Sequence, residues 1–428
     1  MAADSINVYP SGIYINPSAS THITIAKHHH PSPSHSQTTI TRFHRSLPGY
    51  APTPLLSLAP LAHELGLRTL LLKDEASRLG LPAFKILGAS WGVYCALCEW
   101  VGIGDVGMGM GMGLEGLRVE LEARGRDGNG GERVVLFAAT DGNHGRAVAR
   151  MAGLLGLGTD CDGGGCGCVI YVPRGMYDAT RRLIEAEGAR VVVVDGDYDA
   201  AVAECWRASQ RVGDDSGGTV VGIMVQDNAF EGYEVVPRWI VEGYSTLLAE
   251  VEEQFEGMMV GADGSGVAGE EITHVVTPIG VGSLGHAVVK WAKRAGRERG
   301  VRVIAVEPET AGCLHESLQA GKSRTVETID TIMSGMCCGT VSPTSWPDLR
   351  DGVDCSVTVD DWTCHETVLE LEQLGVEAGP CGAGCLAGLR KVLGEKEAKD
   401  LLGLDRDSVV VVLSTEGKRE YPVPQKTN

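Results

Sequence analysis

Runs of apolar and β-branched residues alternate with helical patterns along most of the chain from residue 70 onward. Short continuous apolar runs are typical of strands buried on both faces, as in a parallel sheet covered by helices on either side. The predicted strands are residues 133–138, 168–172, 189–194, 220–225, 274–277, 301–306 and 408–413. The predicted helices are residues 85–101, 143–155, 178–188, 199–212, 232–254 and 283–295. This alternation predicts an α/β fold with mostly parallel, twisted sheets.

Three glycine-rich stretches interrupt the alternation, and we predict that they are surface loops or insertions. They are residues 102–131, 156–167 and 256–269. Three cysteines in or beside the second stretch, Cys161, Cys166 and Cys168, lie close together in sequence. A structural zinc site needs four well-spaced ligands, and no such spacing is completed here. We therefore predict no metal site.

The N-terminal residues 1–40 are rich in Ser, Thr, His and Pro and lack the compact apolar segment of a secretory signal. We expect them to form a flexible extension. An organelle-targeting segment is the alternative, because no acidic residue lies between Asp4 and Glu64.

Composition narrows the class of protein. The chain has 428 residues, 43% of them hydrophobic and 22% charged, which is enough for two domains with sizeable cores. A net charge of -19 argues against nucleic-acid binding, and no apolar run reaches the roughly 18 residues of a membrane span. Most of the 13 cysteines are set in apolar runs, which favours a reducing compartment. We predict a cytoplasmic protein that acts on a small molecule.

Lys85 is the first candidate for chemistry. It is set among apolar residues after the charged turn at residues 73–75. A buried ammonium is costly, so such a lysine must find a partner, reach solvent or lose its charge. One use is a Schiff base with an aldehyde cofactor, after which the released amine can act as a base. Taken alone, a surface lysine on an amphipathic helix is the simpler interpretation.

A polar loop follows the first predicted strand and opens the next helix. It contains Thr140, Asp141, Asn143 and His144. Such a loop directs backbone N–H groups and short polar side chains at one point, which suits a substrate carboxylate or a polar ring substituent. The same residues also suit a helix N-cap with a tight turn, and this segment alone does not separate the two.

A glycine-rich loop at residues 277–286 follows another predicted strand and again opens a helix. Backbone amides at a helix N-terminus form a phosphate cradle. The spacing of Gly280, Gly282 and Gly285, with Glu307 ending the next strand, also imitates a dinucleotide-binding fingerprint. A nicotinamide-dependent oxidoreductase is therefore an alternative, although it gives the other two motifs no shared role.

In this order, the three motifs resemble the fold-type II pyridoxal-phosphate enzymes, and within them the diaminopropionate ammonia-lyases. The resemblance extends from about residue 49 to residue 417. The segments that carry it are residues 73–75, 83–85, 141–146, 225–227, 231–233, 331–335, 338–339 and 414–417. Asp141 is informative because related dehydratases usually carry serine at this place.

The resemblance implies a site for pyridoxal phosphate. Lys85 would form the Schiff base and serve as base for one enantiomer of an amino-acid substrate, and Asp141 would be the second acid/base group on the opposite face. Asp227 would complete the catalytic set by recognising the substrate's side-chain amine. The predicted cofactor contacts are Lys85, Phe84, Asn143, Gly280, Val281, Gly282, Ser283, Leu284, Ser414 and Thr415. The predicted substrate contacts are Thr140, Asp141, His144 and Asp227.

Among these contacts, Asn143 would face the ring hydroxyl, the loop from Gly280 the phosphate, and Ser414 or Thr415 the pyridine nitrogen. A hydroxyl there does not keep the nitrogen protonated as a carboxylate would, so the ring is a weaker electron sink and fast β-elimination is favoured. The implied reaction removes the Cα proton, expels the β-amino group and releases aminoacrylate, which hydrolyses to pyruvate and a second ammonia. A carboxylate at Asp141 or Asp227 suits a substrate with an additional ammonium.

The resemblance also implies a two-domain chain that forms a homodimer. We expect residues 41–90 and 190–425 to form the larger, cofactor-binding domain. Residues 91–189, with the glycine-rich insertion at 102–131, would form the smaller, mobile domain.

The chain departs from the family pattern at several positions. Pro380 and Lys418 stand where the family usually has acidic residues, and His286 stands among the usual small residues, where we expect it to face solvent. These departures favour, as the first alternative, a dehydratase or ammonia-lyase for serine, threonine or another amino acid. A non-catalytic binding protein of the same fold is a further alternative. Spacing does not determine whether Cys313 and Cys338 pair, and two thiols are expected in the cytosol.

Overall fold

Two β-sheets with helices on their faces form the computed structural model, which describes residues 8–20, 35–103, 113–125, 131–140, 142–158, 167–259, 270–295 and 300–426. Its strands are β1 (Val8–Tyr9), β2 (Ile13–Ile15), β3 (Leu55–Ser57), β4 (Thr69–Asp74), β5 (Arg133–Ala139), β6 (Cys168–Pro173), β7 (Arg190–Val194), β8 (Val220–Met224), β9 (His274–Pro278), β10 (Arg302–Pro308), β11 (Cys355–Val359) and β12 (Val409–Ser414). The predicted α/β class is confirmed.

The helices follow the same alternating order along the chain. They are α1 (Gln37–Ser46), α2 (Ala59–Leu65), α3 (Lys85–Trp100), α4 (Gly113–Gly125), α5 (Asn143–Leu154), α6 (Asp178–Glu185), α7 (Tyr198–Asp215), α8 (Val235–Gly243), α9 (Ser245–Met259), α10 (Ser283–Ala292), α11 (Cys313–Ala320), α12 (Trp346–Gly352), α13 (Asp361–Gln373), α14 (Pro380–Gly394) and α15 (Lys396–Leu402). Two 3-10 turns lie at Glu309–Ala311 and Ser334–Met336. None of the helices in the described ranges is long and apolar enough to cross a membrane.

The larger sheet has the strand order β1-β2-β11-β10-β9-β12-β4-β3. Its five central strands are parallel, whereas β1, β2 and β3 pair antiparallel at the two sides. Every residue of β12 is buried, as expected of a strand with helices over both faces. Because β9, β12 and β4 are neighbours and parallel, the loops that follow them meet at one edge of the sheet.

The smaller sheet has the order β7-β6-β5-β8 and is parallel throughout. Alternate residues of β5 face opposite sides: Phe137 and Ala139 pack with α7, whereas Leu136 and Ala138 join the main core with α3 and α5. That main core also contains Leu71 and Val275 of the larger sheet. One continuous core therefore joins the two sheets.

The predicted domain boundary at residues 189 and 190 does not match the strand pairing. Both β7 and β8 lie in the smaller sheet, where Val169 pairs with Arg190 and Arg133 pairs with Val220. The apolar runs of these two strands would suit either sheet equally. Their pairing partners, which lie far away in sequence, decide the allocation.

The expectation of a flexible segment over residues 1–40 is wrong for residues 8–20. Strand β2 pairs antiparallel with β11, and Ile13 is fully buried. The two short apolar runs on either side of Gly12 are too weak a pattern to predict strands. They become strands because β2 pairs with the side of β11 that would otherwise have unpaired backbone groups. Helix α1 also begins within the predicted extension and buries Ile40.

Two further expectations about helices are corrected. Residues 102–131 contain α4, which buries Leu117 and Leu121, four residues apart on one face. The single helix predicted at residues 232–254 is instead α8 and α9, separated at Tyr244. A Cβ at Gly243 would lie 2.5 Å from the Leu87 carbonyl oxygen, so the chain passes very close to α3 at this break.

Candidate active site

Five loops meet where the carboxyl edges of the two sheets face each other. The loops after β4, β9 and β12 come from the larger sheet, and those after β5 and β8 from the smaller sheet. Lys85, the first residue of α3, extends towards the smaller sheet, where its Nζ lies 2.5 Å from Asp227 Oδ2. The sequence-predicted lysine and aspartate, 142 residues apart, are thus brought into contact.

The Lys85 and Asp227 charges hold each other in the ionised state. Burial disfavours both charges, but the Asp227 carboxylate keeps the pKa of Lys85 above its ordinary value. Burial likewise opposes ionisation of Asp227, yet the Lys85 ammonium lowers the pKa of this carboxyl to about 2. Asp227 is almost fully buried, whereas 22% of the Lys85 side chain is exposed. The lysine is therefore accessible from the cleft, while its partner lies behind it.

His144 is buried beside this pair. Its Nε2 lies 2.8 Å from the carbonyl oxygen of Val225, which can only accept, so Nε2 donates. Burial lowers the pKa of the imidazole, and Asp227 and Lys85 are both close enough to influence it. Nδ1 has no hydrogen-bond partner in the described part of the chain. A neutral His144 therefore presents an unused acceptor near Lys85.

Thr140 and Gln226 set the shape of the two loops from the smaller sheet. Thr140 Oγ1 accepts hydrogen bonds from the backbone N–H groups of Gly142, at 2.8 Å, and Gly145, at 3.1 Å. Gln226 Oε1 accepts from the N–H of Ala139 at 3.0 Å, and so ties the end of β8 to the end of β5. The Thr140 hydroxyl is thus occupied by the start of α5. Its side chain shapes the loop predicted to contact substrate.

Ser414 is the last residue of β12. Its side chain is fully buried, and Oγ has no hydrogen-bond partner among the described residues. A Cβ at Gly382 would lie 2.5 Å from this oxygen, so only glycine leaves room there. Buried hydroxyls are almost always hydrogen-bonded, so Ser414 has the capacity for one further polar partner.

The loop from Gly280 to Ser283 has little room for side chains. A Cβ at Gly280 would lie 2.9 Å from the carbonyl oxygen of Gly335, and Gly282 has a φ of +91°. Helix α10 begins at Ser283, where the first backbone N–H groups of a helix lack intrahelical partners. Val281 and Leu284 are buried beside them. This backbone arrangement suits a phosphate group.

Asn143 is oriented by the carboxylate of Glu416, a residue that is not among the predicted contacts. Its Nδ2 donates to Glu416 Oε2 at 3.2 Å. Glu416 Oε1 accepts from the N–H of Cys381 and from Arg419 Nε, both at 3.1 Å. The Ser-Thr-Glu-Gly motif contains Glu416, but only the fold brings Asn143 and Arg419 to it.

Phe84 and Thr415 support the same region of the cleft. Both are buried, and the Phe84 N–H donates to the Thr415 carbonyl oxygen at 3.3 Å. Lys85 Nζ lies 5.8 Å from the centre of the Phe84 ring. Asp141, predicted as the second acid/base group, lies outside the described residues.

The departures from the family pattern have separate explanations. His286 is buried, not exposed as expected, and its Nε2 lies 2.6 Å from Asp348 Oδ2, because this face of α10 packs against α12. Pro380 is the first residue of α14, a position where proline is well tolerated, and Lys418 is exposed and pairs with Glu372.

Cys313 and Cys338 are both present as buried thiols. Cys161 and Cys166 of the predicted glycine-rich loop lie outside the described residues. Across the ranges that the structure describes, no group of three or more His, Cys, Asp or Glu side chains is arranged to hold a metal ion.

Comparison with known proteins identifies the family. Residues 47–416 match the model of the pyridoxal-phosphate dependent enzymes, and the chain belongs to that family. It is 32% identical over 390 residues to a diaminopropionate ammonia-lyase of Salmonella typhimurium, with 88% of each chain covered. It is also 32% identical to the Escherichia coli diaminopropionate ammonia-lyase over 397 residues, covering 90% of this chain and 89% of that one. Within the family, the chain belongs with the diaminopropionate ammonia-lyases.

A solved structure of a relative supports the same placement. The crystal structure of Escherichia coli diaminopropionate ammonia-lyase in complex with D-serine superposes with a TM-score of 0.76 at 30% identity, covering 95% of this chain and 93% of that chain. The predicted fold-type II architecture is confirmed. In this family a glycine-rich loop such as that at Gly280 binds the phosphate of pyridoxal phosphate. The loop is therefore no evidence for a dinucleotide, and the nicotinamide-dependent alternative has no other support.

The cofactor of this family is pyridoxal phosphate, and the residues present suit it. Lys85 offers an amine that is accessible from the cleft, Ser414 offers a buried hydroxyl without a partner, and the Gly280 loop offers a backbone cradle. An aldehyde, a ring nitrogen and a phosphate need an amine, a hydrogen-bonding hydroxyl and an anion cradle, so these residue types fit the cofactor.

Proposed function

We propose that this chain catalyses β-elimination from 2,3-diaminopropionate. One substrate molecule and one water molecule would give pyruvate and two molecules of ammonia. The observation that carries the proposal is the buried Asp227 carboxylate, 2.5 Å from Lys85, with the unused acceptor of His144 close by. A carboxylate in this position pairs with a substrate ammonium, whereas the hydroxyl of serine would bring no charge to it.

Lys85 has two proposed roles. It is the covalent attachment point of the cofactor, and its neutral Nζ accepts the Cα proton of one enantiomer after substrate has displaced it. Asp227 supports the first role by holding the amine in place. The bound cofactor supplies an electron-withdrawing ring that stabilises charge at Cα. Asp141 is the proposed acid/base group for the other enantiomer.

The remaining proposed contacts divide between ring, phosphate and substrate. Ser414, with Thr415 behind it, faces the ring nitrogen, and Asn143, held by Glu416, faces the ring hydroxyl. Phe84 packs beside the lysine. The loop from Gly280 to Leu284 holds the phosphate through its backbone. The N–H groups of the Thr140 loop orient the substrate carboxylate, because Thr140 Oγ1 fixes that loop at the start of α5.

The proposal is tested by an absorbance spectrum and a substrate panel. Purified protein should show an absorbance band near the boundary between the ultraviolet and visible regions. Pyruvate should form when D- or L-diaminopropionate is added. Lys85→Ala should lose both the band and the activity, whereas Lys322→Ala, a change at an exposed lysine, should retain both. A band without any Lys85 dependence would contradict the proposal.

The same panel tests the alternative reaction. D- and L-serine and L-threonine are measured beside diaminopropionate, with pyruvate and ketobutyrate as products. Turnover of serine or threonine well above that of diaminopropionate would make the chain a dehydratase of the same family.

We also propose that the protein is a cytoplasmic homodimer with a mobile smaller domain, which includes β7 and β8 in addition to residues 91–189. Light scattering on the purified protein measures the first property, since a mass equal to one chain would exclude a stable dimer.

A further inference from the structure

We infer that the hydroxyl of Tyr244 donates a hydrogen bond to the phosphate group of the cofactor. Tyr244 lies at the break between α8 and α9 and is not among the predicted site residues. The inference rests on the cofactor position proposed above, and it adds a side-chain donor to a cradle otherwise built from backbone.

The Tyr244 hydroxyl is buried without a partner. The residue has no exposed surface, and its oxygen has no hydrogen bond of good geometry to any group in the described ranges. The Ser283 hydroxyl is close enough to approach as a donor, but it leaves the phenol proton without an acceptor. A buried phenol that lacks a partner is uncommon in native proteins, because removing the hydroxyl from water has a cost that nothing offsets. Such a group indicates a polar partner that the protein chain does not itself supply.

The position of the ring is fixed by close packing. Its centre lies 4.8 Å from that of the Phe84 ring, next to the lysine that holds the cofactor. A Cβ at Gly88 would lie 2.5 Å from Cε1 and 2.6 Å from Cζ of Tyr244, so α3 admits the ring only because residue 88 is glycine. The hydroxyl therefore has little freedom to turn elsewhere.

The polar groups that influence the Tyr244 hydroxyl belong to the cofactor site. They are Lys85, Asp227 and the side chain of Ser283. Lys85 and Asp227 already pair with each other. Ser283 is the first residue of α10, where the unpaired N–H groups favour an anion. The phosphate is the part of the cofactor that belongs at this helix end.

Donation, rather than proton transfer, is the chemistry available to this phenol. Burial raises the pKa of Tyr244 above its ordinary value, so the hydroxyl keeps its proton at any working pH. A neutral O–H beside a dianion forms a charge-assisted hydrogen bond. The same property makes Tyr244 a poor base for the substrate.

Two ligands and two variants test the inference. The apoenzyme is titrated with pyridoxal phosphate and with pyridoxal, which lacks the phosphate, and binding is followed by absorbance. Tyr244→Phe should raise the Kd for pyridoxal phosphate by about 10-fold or more, as expected for one charge-assisted bond, and leave the Kd for pyridoxal within about 2-fold. Tyr9→Phe is the control: it removes a buried hydroxyl in β1 that also has no partner among the described residues. This change should leave both Kd values unchanged.

The outcomes separate this inference from the proposed function. An unchanged Kd for pyridoxal phosphate in Tyr244→Phe would overturn it, as would equal weakening of both ligands, which would place the hydroxyl at the aldehyde end. Wild-type protein that forms no Lys85-dependent band would contradict the proposed function itself, and the Tyr244 inference with it. Phenylalanine keeps the packed ring, and a thermal unfolding curve identifies any loss of fold.

Discussion

At the scale of single residues, the site depends on charges that are buried but compensated. Removing one member of such a pair costs more than the pair contributes, because the other charge stays buried without a partner. Asp227 is nearly inaccessible, so its carboxylate can serve only groups inside the cleft: Lys85 in this structure, and the substrate ammonium in the proposed reaction.

Asp227→Asn tests the proposed recognition of the substrate amine. The change keeps the shape of the side chain but removes its charge, so kcat/KM for diaminopropionate should fall by about 10- to 100-fold. Both substrates share any loss that arises because Lys85 loses its partner, so activity on serine, if any is found, should fall less, because serine has no second ammonium. Steady-state kinetics with both substrates measures the difference. Glu231→Gln, at an exposed carboxylate in the same loop, is the control, and equal losses on both substrates would argue against recognition.

At the scale of elements, α3 is placed by glycines as much as by its apolar residues. It begins at Lys85 and packs against α8 and α5. Gly88 admits the ring of Tyr244, and at Gly92 a Cβ would lie 2.8 Å from the Ile240 side chain. The close approach of α8 fixes the helix that carries Lys85.

Gly88→Ala should destabilise the protein by about 1–3 kcal/mol, because the added methyl group has no space between α3 and Tyr244. Gly153→Ala is the matched control within a helix: residue 153 is exposed in α5, and its Cβ would meet nothing within 4 Å. Alanine should stabilise that helix by about 0.5–1 kcal/mol. Urea denaturation of both variants gives the free energies of unfolding, and a stabilising Gly88→Ala would refute the packing argument.

At the scale of the whole molecule, a buried ionic cluster joins three distant parts of the chain. Glu250 of α9 accepts hydrogen bonds from Lys73 Nζ at 2.7 Å and from Arg78 at 2.6 and 2.7 Å. Arg78 also pairs with Glu75, and Thr53 donates to Glu75 at 2.6 Å. Glu75 and Arg78 belong to the segment that leads from β4 to Lys85, so the cluster holds that segment in place.

Glu250→Gln should lower the free energy of unfolding by about 3 kcal/mol, because Lys73 and Arg78 lose their buried counter-charge. Glu253→Gln, at an exposed carboxylate on the same helix that pairs with Arg45, should cost less than about 1 kcal/mol. Urea denaturation at neutral pH gives both values. A loss at Glu250 no larger than that at Glu253 would show that the cluster is not a major support.

The buried ionic cluster around Glu250 should also make the stability of the protein depend on pH. Burial opposes ionisation of Glu250, but its cationic partners lower its pKa from 4.5 to about 2. A group whose pKa is lower in the folded state than in the unfolded state stabilises the fold fully at pH values above its unfolded-state pKa. It loses that contribution as the pH falls towards its folded-state pKa. Stability contributed by Glu250 should therefore decline between about pH 5 and pH 2, and Glu250→Gln should show a weaker decline over that range.

The sequence by itself determined the fold class, most of the parallel strands and the residue types of the site. Continuous apolar runs such as residues 408–413 have a burial pattern that only a covered sheet satisfies. Asn143 and the Gly280 loop follow predicted strands, and carboxyl ends of parallel strands meet at one edge, whereas Lys85 follows the charged turn at residues 73–75. The resemblance of these motifs, in this order, to the fold-type II enzymes then predicted a shared site.

The tertiary structure alone decided which groups contact each other. The allocation of β7 and β8 to the smaller sheet, the pairing of β2 with β11 and the burial of His286 all depend on partners that are remote in sequence. The same is true of the Glu416 contact with Asn143 and of the Tyr244 hydroxyl. The local pattern of apolar and polar residues indicates whether a residue prefers water or the core. A hydrogen bond or a close approach depends on two positions at once, and only the folded chain brings those positions together.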